Sequence, residues 1–219
     1  MTEDELVERH PRLWHMAADG GWDGIRENGL MSVTRLLDLY EVEGQPRFAI
    51  ESARRPQSVV LRKDGLPNAV VRDNKPMFES VLAKNLQDGL QPREWYEILN
   101  RKSFFWVDHE RLVRLLGARA YSGSPQVVIE VETRKLLERH RADVRLCAIN
   151  SGQTLYGGQP RGLSTFMRIE DFPSDEGKVG SKTRLRIVEL VVEGGVPDLA
   201  EMVVKVERLE DGAATRLWP

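Results

Sequence analysis

The chain has 219 residues, of which 41% are hydrophobic and 30% are charged, and its formal net charge is −2. This composition is typical of a folded protein of one large or two small domains, and it excludes both a disordered chain and a uniformly basic nucleic-acid-binding protein. The single cysteine, Cys147, excludes an intrachain disulfide and a cysteine-rich zinc site.

The N-terminal segment MTEDELVERHPRLW is acidic and contains no apolar stretch, so it is not typical of a signal peptide. No apolar run reaches the roughly 18 residues that a membrane-spanning helix needs. These features predict a cytoplasmic protein with no membrane partner. Because the chain contains neither repeats nor a long low-complexity linker, we expect one domain over residues 1–219.

The first third of the chain is predicted to form a strand and two helices. RLWHMA (12–17) is a short apolar run typical of a strand. A short helix then runs through Ile25 and is closed by Gly29, which suits a C-terminal cap. Ser32 is the predicted N-cap of a longer helix over residues 33–44.

The middle third is predicted to form a hairpin and two helices. Residues 58–74 hold two β-branched pairs on either side of Asp64 and Gly65, which indicates a hairpin. Residues 92–100 begin with a proline and are predicted to be a helix. A helix is also predicted over 77–89, with one apolar face formed by Phe78, Val81, Leu82 and Leu86.

The last part of the chain is richer in strands. Two helices, 108–117 and 133–141, are predicted to start at the capping residues Asp108 and Thr133. The Gly-rich segment 151–165 is predicted to be a long loop, and such loops are commonly functional. Because helices crowd the N-terminal half, we expect an α+β fold rather than a doubly wound sheet. The predicted strands are 102–107, 126–132, 144–150, 184–192 and 201–209.

A carboxylate interrupts the most strand-like segment, RLRIVELVV (184–192). By strand alternation, Glu189 shares a face with Leu185, Ile187 and Val191. A carboxylate on an apolar face is costly unless it is paired or lines a cleft. An edge position or a salt bridge is the commoner reason for such a residue, and the residues alone favour that structural interpretation over a catalytic one.

One histidine, His15, lies within the apolar strand RLWHMA. The favoured interpretation is a core histidine bonded to a backbone carbonyl, and the alternative is a ring N–H that holds a ribose hydroxyl or a carbonyl of a ligand. The other histidines, His10, His109 and His140, lie among charged residues and are expected at the surface. No pair has metal-ligand spacing, so no metal site is predicted.

Two further features have both a structural and a functional interpretation. The aromatic strand around Phe104 to Trp106 is either core or one wall of a slot for a flat heterocycle. Arg62 and Arg72 each follow a strand, where a guanidinium holds either a phosphate or a neighbouring carboxylate, here Asp64 or Asp73. The chain has no GxGxxG, Walker or GxSxG motif and no cysteine nucleophile with a base, which disfavours the common nucleotide-binding and hydrolase sites.

Three stretches, taken in order, resemble the ADP-ribosyltransferase superfamily and in particular its DarT-like branch of DNA-modifying toxins. LWHMAADGGWDGIRENGLMS is similar to the opening strand and helix, and SFFWV is similar to the second strand motif. RLRIVELVVEGGVPDLAEMVVKV is similar to the closing motif, which carries a glutamate in a hydrophobic strand. The central region, VVRDNKPM to LNRKSFFW, departs from the DarT-like pattern and is compatible with a distinct branch.

This resemblance implies two twisted, mainly antiparallel sheets with helices around a cleft that binds NAD. Glu189 would be the catalytic acid, and His15 would be a ligand of the ribose or of the amide. Phe105 or Trp106 would stack on the nicotinamide, and Arg72 would approach the pyrophosphate. Glycoside cleavage develops positive charge on the sugar, which a carboxylate stabilises. This requirement shifts the interpretation of Glu189 towards function.

The Gly-rich loop would contact the acceptor, with Asn150, Thr154 and Tyr156 as candidate residues. The implied function is an NAD-dependent mono-ADP-ribosyltransferase of toxin or defence type, with NAD as substrate and no metal. Single-stranded DNA or RNA is one candidate acceptor, and a neutralising antitoxin is one candidate partner. Two alternatives stay open: a catalytically silent module of the same fold that binds a nucleotide or a partner, and an enzyme with an unrelated small substrate.

Overall fold

The computed structural model describes residues 1–119, 121–155, 158–173 and 186–218. This part of the chain contains both helices and a large sheet, which confirms the α+β class. None of its helices has the length and apolarity needed to cross a membrane. The α-helices are α1 (Glu3–Arg9), α2 (Trp22–Asn28), α3 (Val33–Leu39), α4 (Gly44–Glu51), α5 (Glu79–Asn85), α6 (Pro92–Asn100), α7 (His109–Leu116) and α8 (Thr133–His140).

The strands form one large antiparallel sheet and two small ones. The large sheet has seven strands in the order β11-β10-β6-β1-β5-β8-β7, while β2 pairs with β9 and β3 pairs with β4. The strands are β1 (Arg12–Ala18), β2 (Leu30–Met31), β3 (Val59–Leu61), β4 (Ala69–Val71), β5 (Lys102–Trp106), β6 (Gln126–Glu132), β7 (Val144–Cys147), β8 (Glu189–Glu193), β9 (Gly195–Val196), β10 (Val203–Glu210) and β11 (Ala213–Trp218).

The large sheet has a narrow junction at its centre. β1 pairs with β6 along all of its length, from Arg12 to Ala18. Its pairing with β5, on the other side, is a single residue pair, Trp14 opposite Trp106. The sequence resemblance implied two separate sheets, whereas the large sheet is continuous through this one pair. The two strands part beside this single pair.

Hydrophobic packing occurs in one main core and several smaller clusters. The main core joins the large sheet to α1 and α8, through residues such as Leu6, Ile129 and Leu136. A second cluster joins α3 and α4 to the β3–β4 hairpin, and a third centres on α5 and α6. The hairpin and α6 in these clusters contribute residues to one wall of the large cavity described below.

The predicted helix over 33–44 is wrong in its second half. The helix α3 ends at Leu39, because Glu41 adopts a φ of 54°. The N–H of Val42 then donates to the carbonyl of Leu37 at 2.9 Å, which closes the helix end. A separate helix, α4, follows and was not predicted.

The first helix, α1, and the last strand, β11, were also not predicted. The helix α1 begins with a capping box in which Thr2 and Glu5 bond to each other's backbone N–H. The strand β11 returns along β10 after a turn at Asp211 and Gly212, both of which have positive φ. Both signals, a Thr-x-x-Glu start and an Asp-Gly turn, are visible in the sequence.

Two side chains are placed differently from the prediction. Phe78 precedes α5 instead of lying on its buried face, and it is 46% exposed. Thr133 is the first residue of α8, whose N-cap is Glu132. The Thr133 hydroxyl donates to the carbonyl of His10 at 2.5 Å, so it joins α8 to the chain between α1 and β1.

The main correction concerns the strand that carries Glu189. Glu189 is the first residue of β8, not its centre, and residues 186–188 belong to no strand. Residues 184 and 185, which the prediction included, lie outside the described residues. The carboxylate therefore stands at the end of a strand, opposite Trp106 of β5 and Cys147 of β7, beside the loop that follows β7.

Candidate functional site

A cavity of about 1320 Å³ is lined by β1 and β5 where these strands part, together with the β3–β4 hairpin and the loop after β7. Its volume exceeds the range of about 300–1,000 Å³ typical of small-ligand sites, so it has room for a molecule of dinucleotide size. The cavity brings together several residues that the sequence singled out. These are His15, Arg72, Phe105, Trp106, Asn150 and Glu189.

The carboxyl group of Glu189 is buried at the wall of this cavity, with 5% of the residue exposed. The Ser151 hydroxyl donates to Oε2 at 2.7 Å, and the Ser151 backbone N–H lies 3.2–3.3 Å from both carboxyl oxygens. Burial raises the pKa of Glu189 to about 7, although Ser151 and Arg161 act in the opposite direction. Near neutral pH the group therefore populates both of its protonation states.

The sequence interpretation missed Ser151 and also Arg161, which holds Ser151 in place. Arg161 is 1% exposed, and its Nη1 donates to the carbonyls of Ser151 at 3.2 Å and Gln153 at 3.1 Å. Its Nε donates to the carbonyl of Gln159 at 3.0 Å. One buried guanidinium thus ties the two ends of the loop together. The available signal was a lone arginine within a Gly-rich segment, GGQPRGLS.

We expect Arg161→Met to lower the free energy of unfolding by about 1–3 kcal/mol. The buried carbonyl of Ser151 would lose its donor at about that cost, while the carbonyls of Gln153 and Gln159 are only partly buried and can bond to water instead. Urea unfolding of the two proteins measures this difference. Arg168→Met is the matched control, because that side chain is 65% exposed. Equal urea midpoints for the two variants would show that the loop does not depend on Arg161.

His15 borders the cavity in its neutral form. Its Nδ1–H donates to the carbonyl of Phe104 at 2.8 Å, which leaves Nε2 as an acceptor. Burial lowers the pKa of His15 to about 4, the bond to Phe104 opposes this, and Arg72 lowers it further. The bond to a backbone carbonyl agrees with the interpretation of His15 as a core histidine. The ring also lines the cavity, so the ligand-binding interpretation stays open.

The two aromatic residues proposed for stacking differ in burial. Phe105 is 1% exposed, packs in the main core and meets His15 edge-on at 5.9 Å between ring centroids. Trp106 is half-buried and also lines the cavity. Because a ring enclosed in the core has no free face, Trp106 is the better candidate for contact with a flat ligand, and Phe105 belongs to the main core.

We expect Phe105→Ala to destabilise the protein by about 3–5 kcal/mol, the usual cost of removing a buried phenylalanine ring. Trp106→Ala should cost less stability, because part of that ring already faces solvent or the cavity. Thermal and urea unfolding of the two variants test this order. A smaller loss for Phe105→Ala than for Trp106→Ala would contradict the assignment of Phe105 to the core.

Arg72 lines the cavity next to the end of β4. Its Nη1 donates to the carbonyl of Met16 at 3.0 Å, and its guanidinium lies 4.9 Å from the centroid of the Tyr121 ring. The carboxylate of Asp73 instead lies 3.5 Å from Lys75 and accepts from the Tyr121 hydroxyl at 3.3 Å. Arg62, the second arginine considered, is exposed and does not line the cavity.

Positive charge concentrates at this cavity although the whole chain has a net charge of −2. Among the described residues, six cationic side chains line it, against the two carboxyl groups of Asp73 and Glu189. Only Arg72 was singled out from the sequence and the other five were missed, although arginines three residues apart on α7 were a visible signal. This excess of cations favours an anionic ligand. The six are Arg55, Arg72, Lys102, Arg111, Arg114 and Arg119.

The three loop residues predicted to contact an acceptor differ in whether they line the cavity. Asn150 lines the cavity. Thr154 does not: it is 2% exposed, and its hydroxyl accepts from the backbone N–H of Phe78 at 2.6 Å, so it anchors the loop. Tyr156 lies outside the described residues. Gln153 lines the cavity, and its buried Oε1 has no hydrogen-bond partner among the described residues, so it can accept from a ligand.

Within the described residues, no group of three or more His, Cys, Asp or Glu side chains converges as a metal site would.

The comparisons with known proteins give a family but no activity. No curated protein matches the chain. A model of a family of unknown function, DUF7002, matches residues 11–203, from the start of β1 to the start of β10. The chain therefore belongs to the DUF7002 family.

Proposed function

We propose that the protein is an NAD-dependent ADP-ribosyltransferase in which Glu189 is the catalytic carboxylate. The observation that carries this proposal is the buried carboxyl of Glu189 at the wall of a large cavity that it shares with His15 and Trp106. These residues come from three strands, and the resemblance to the superfamily implies a role for each. Arg72, whose implied role is the least direct, lines the same cavity.

The residues around the cavity suit the parts of NAD. The guanidinium of Arg72 offers donors to a pyrophosphate. Trp106 offers a partly exposed ring for a flat heterocycle. Nε2 of His15 and Oε1 of Gln153 are acceptors for the hydroxyls of a ribose or for an amide N–H. The cavity volume of about 1320 Å³ leaves room for these groups together.

In this reaction the bond between nicotinamide and ribose breaks, and nicotinamide leaves with the bonding electron pair. Positive charge develops on the ribose, and ionised Glu189 stabilises it from its buried position at the cavity wall. The acceptor then forms a bond to the same ribose carbon and loses a proton. With a pKa of about 7, Glu189 is also suited to take that proton.

A nucleotide-binding module without turnover is the second candidate, and the same pKa favours it. At a pKa of about 7, a substantial fraction of Glu189 is neutral near neutral pH, and a neutral carboxyl does not stabilise a positive sugar. Ser151 also occupies hydrogen-bonding positions on both carboxyl oxygens. The two candidates differ in whether bound NAD is consumed.

Incubating the purified full chain with NAD labelled in nicotinamide tests the proposal. Free nicotinamide is measured alone and with separate pools of DNA, RNA and protein, and calorimetry measures NAD binding in parallel. Release of nicotinamide, with transfer of label from adenine-labelled NAD to one pool, supports the transferase. Saturable binding without release supports the silent module, and neither binding nor release overturns both.

A further inference from the structure

A second groove, of about 420 Å³, lies beside the large cavity. Three arginines line it, Arg9 from the last turn of α1, Arg111 from α7 and Arg186 from the segment before β8. His109 adds an imidazole, and Asp108 is the one carboxylate among the lining residues. The groove is therefore rich in guanidinium groups on a chain whose overall charge is slightly negative.

The groove adjoins the end of the sheet that carries Glu189. Trp106 and Glu189 are opposite each other in β5 and β8. The groove is lined by Val107, one residue after Trp106, and by Ile187, two residues before Glu189. Extended chain advances about 3.3 Å per residue, so the groove begins within roughly 7 Å of that pair along the chain. Arg111 lines both the groove and the cavity, so the two spaces share a wall.

The single carboxylate of the groove is already engaged. Oδ1 of Asp108 accepts from the backbone N–H of Glu110 at 2.9 Å, which caps α7. Its Oδ2 lies 3.9 Å from Nε of Arg111, a long and weak ion pair. Arg186 forms no ion pair within the described part of the chain and is exposed. The lining of the groove thus presents three guanidiniums and a single carboxylate, which already caps α7.

We propose that this groove is a binding site for the phosphate group of a phosphorylated ligand, held by Arg9, Arg111 and Arg186. Arginine binds phosphate through paired N–H donors. A phosphate monoester carries about −1.5 to −2 charges, which matches three guanidiniums and one carboxylate better than a ligand carboxylate does. A groove of about 420 Å³ also has room for a sugar attached to the phosphate. The site does not depend on turnover of NAD.

Titration of the isotope-labelled full chain with inorganic phosphate and with adenosine monophosphate, followed by NMR, tests this site. We expect saturable shifts of the amide signals of Val107, His109 and Ile187, which line the groove. The double variant Arg9→Gln/Arg186→Gln should bind at least about tenfold more weakly, because a charge-assisted bond contributes about one to two powers of ten in affinity. Both side chains are exposed, so the variant should keep its fold.

The double variant Arg62→Gln/Arg216→Gln is the matched control, since it removes the same charge from exposed positions outside the groove. Unchanged binding by the control and weakened binding by the groove variant support the site. Tighter binding of adenosine monophosphate than of inorganic phosphate supports a phosphorylated ligand, and equal binding overturns that assignment in favour of a free phosphate ion. Absence of saturable binding, shifts confined to the cavity, or equal weakening in both variants overturns the proposal.

Discussion

Replacing Glu189 by glutamine is expected to lower NAD turnover by about 100- to 1,000-fold, equivalent to about 3–4 kcal/mol of transition-state stabilisation. Glutamine keeps the shape and can still accept a hydrogen bond from Ser151, but it has no negative charge for the ribose. Steady-state release of nicotinamide, compared at equal protein concentration, measures the effect. NAD affinity should change much less than turnover, because the lost interaction forms mainly in the transition state.

Glu138→Gln is the matched control for that experiment. Glu138 is exposed on α8 and lines neither the cavity nor the groove, so its replacement should leave turnover unchanged. Circular dichroism and thermal unfolding establish that both variants are folded. If Glu189→Gln retains turnover within a few-fold of the unmodified chain, the carboxylate is not catalytic and the transferase proposal fails.

The second large effect is expected from Glu189 and His15, which should make the free energy of unfolding depend on pH in opposite directions. Burial raises the pKa of Glu189 from 4.5 to about 7. The folded chain therefore holds this proton more tightly than the unfolded chain, and the resulting stability is lost as pH rises from about 4.5 to 7. One pKa unit corresponds to about 1.4 kcal/mol, so the loss is about 3 kcal/mol. Relative to the unmodified chain, Glu189→Gln should gain that much stability over this interval.

His15 should show the opposite sign. Burial lowers its pKa from 6.5 to about 4, so the unfolded chain takes up the proton first as pH falls. Stability is then lost on going from about pH 6.5 down to 4, again by about 3 kcal/mol. Relative to the unmodified chain, His15→Gln should lose that much stability as pH rises through the same interval. In the unmodified chain the two contributions largely cancel.

Urea unfolding of the three proteins at closely spaced pH values between 4 and 8 measures both differences. Taking the difference between each variant and the unmodified chain removes the contributions of the other titrating groups. As pH rises, we expect the free energy of unfolding of Glu189→Gln to increase relative to that of the unmodified chain. For His15→Gln we expect it to decrease. Differences that stay flat with pH would show that neither group is buried as the structure describes.

Local patterns in the sequence were enough to predict most of the elements. The run QVVIEVE, rich in β-branched residues, predicted β6 over 126–132, and the proline start predicted α6 over 92–100. The misses also have local causes. The helix predicted over 33–44 was extended past Glu41, whose positive φ no apolar pattern encodes. The start of β8 was misplaced because a run of aliphatic residues does not show where a strand finds its neighbours.

For the candidate site, the sequence by itself determined which chemical groups the chain has: a carboxylate among aliphatic residues, a histidine in an apolar strand, an aromatic strand and a Gly-rich loop. Only the tertiary structure decided that Glu189 and His15 share one cavity, that Phe105 lies in the core, that Thr154 anchors the loop, and that Ser151 bonds Glu189. The physical reason is that strand alternation and helix periodicity describe neighbours along the chain. The burial, protonation and bonding of these groups depend on strand pairs and loops far apart in sequence, such as β5 with β8 and Arg161 with Ser151.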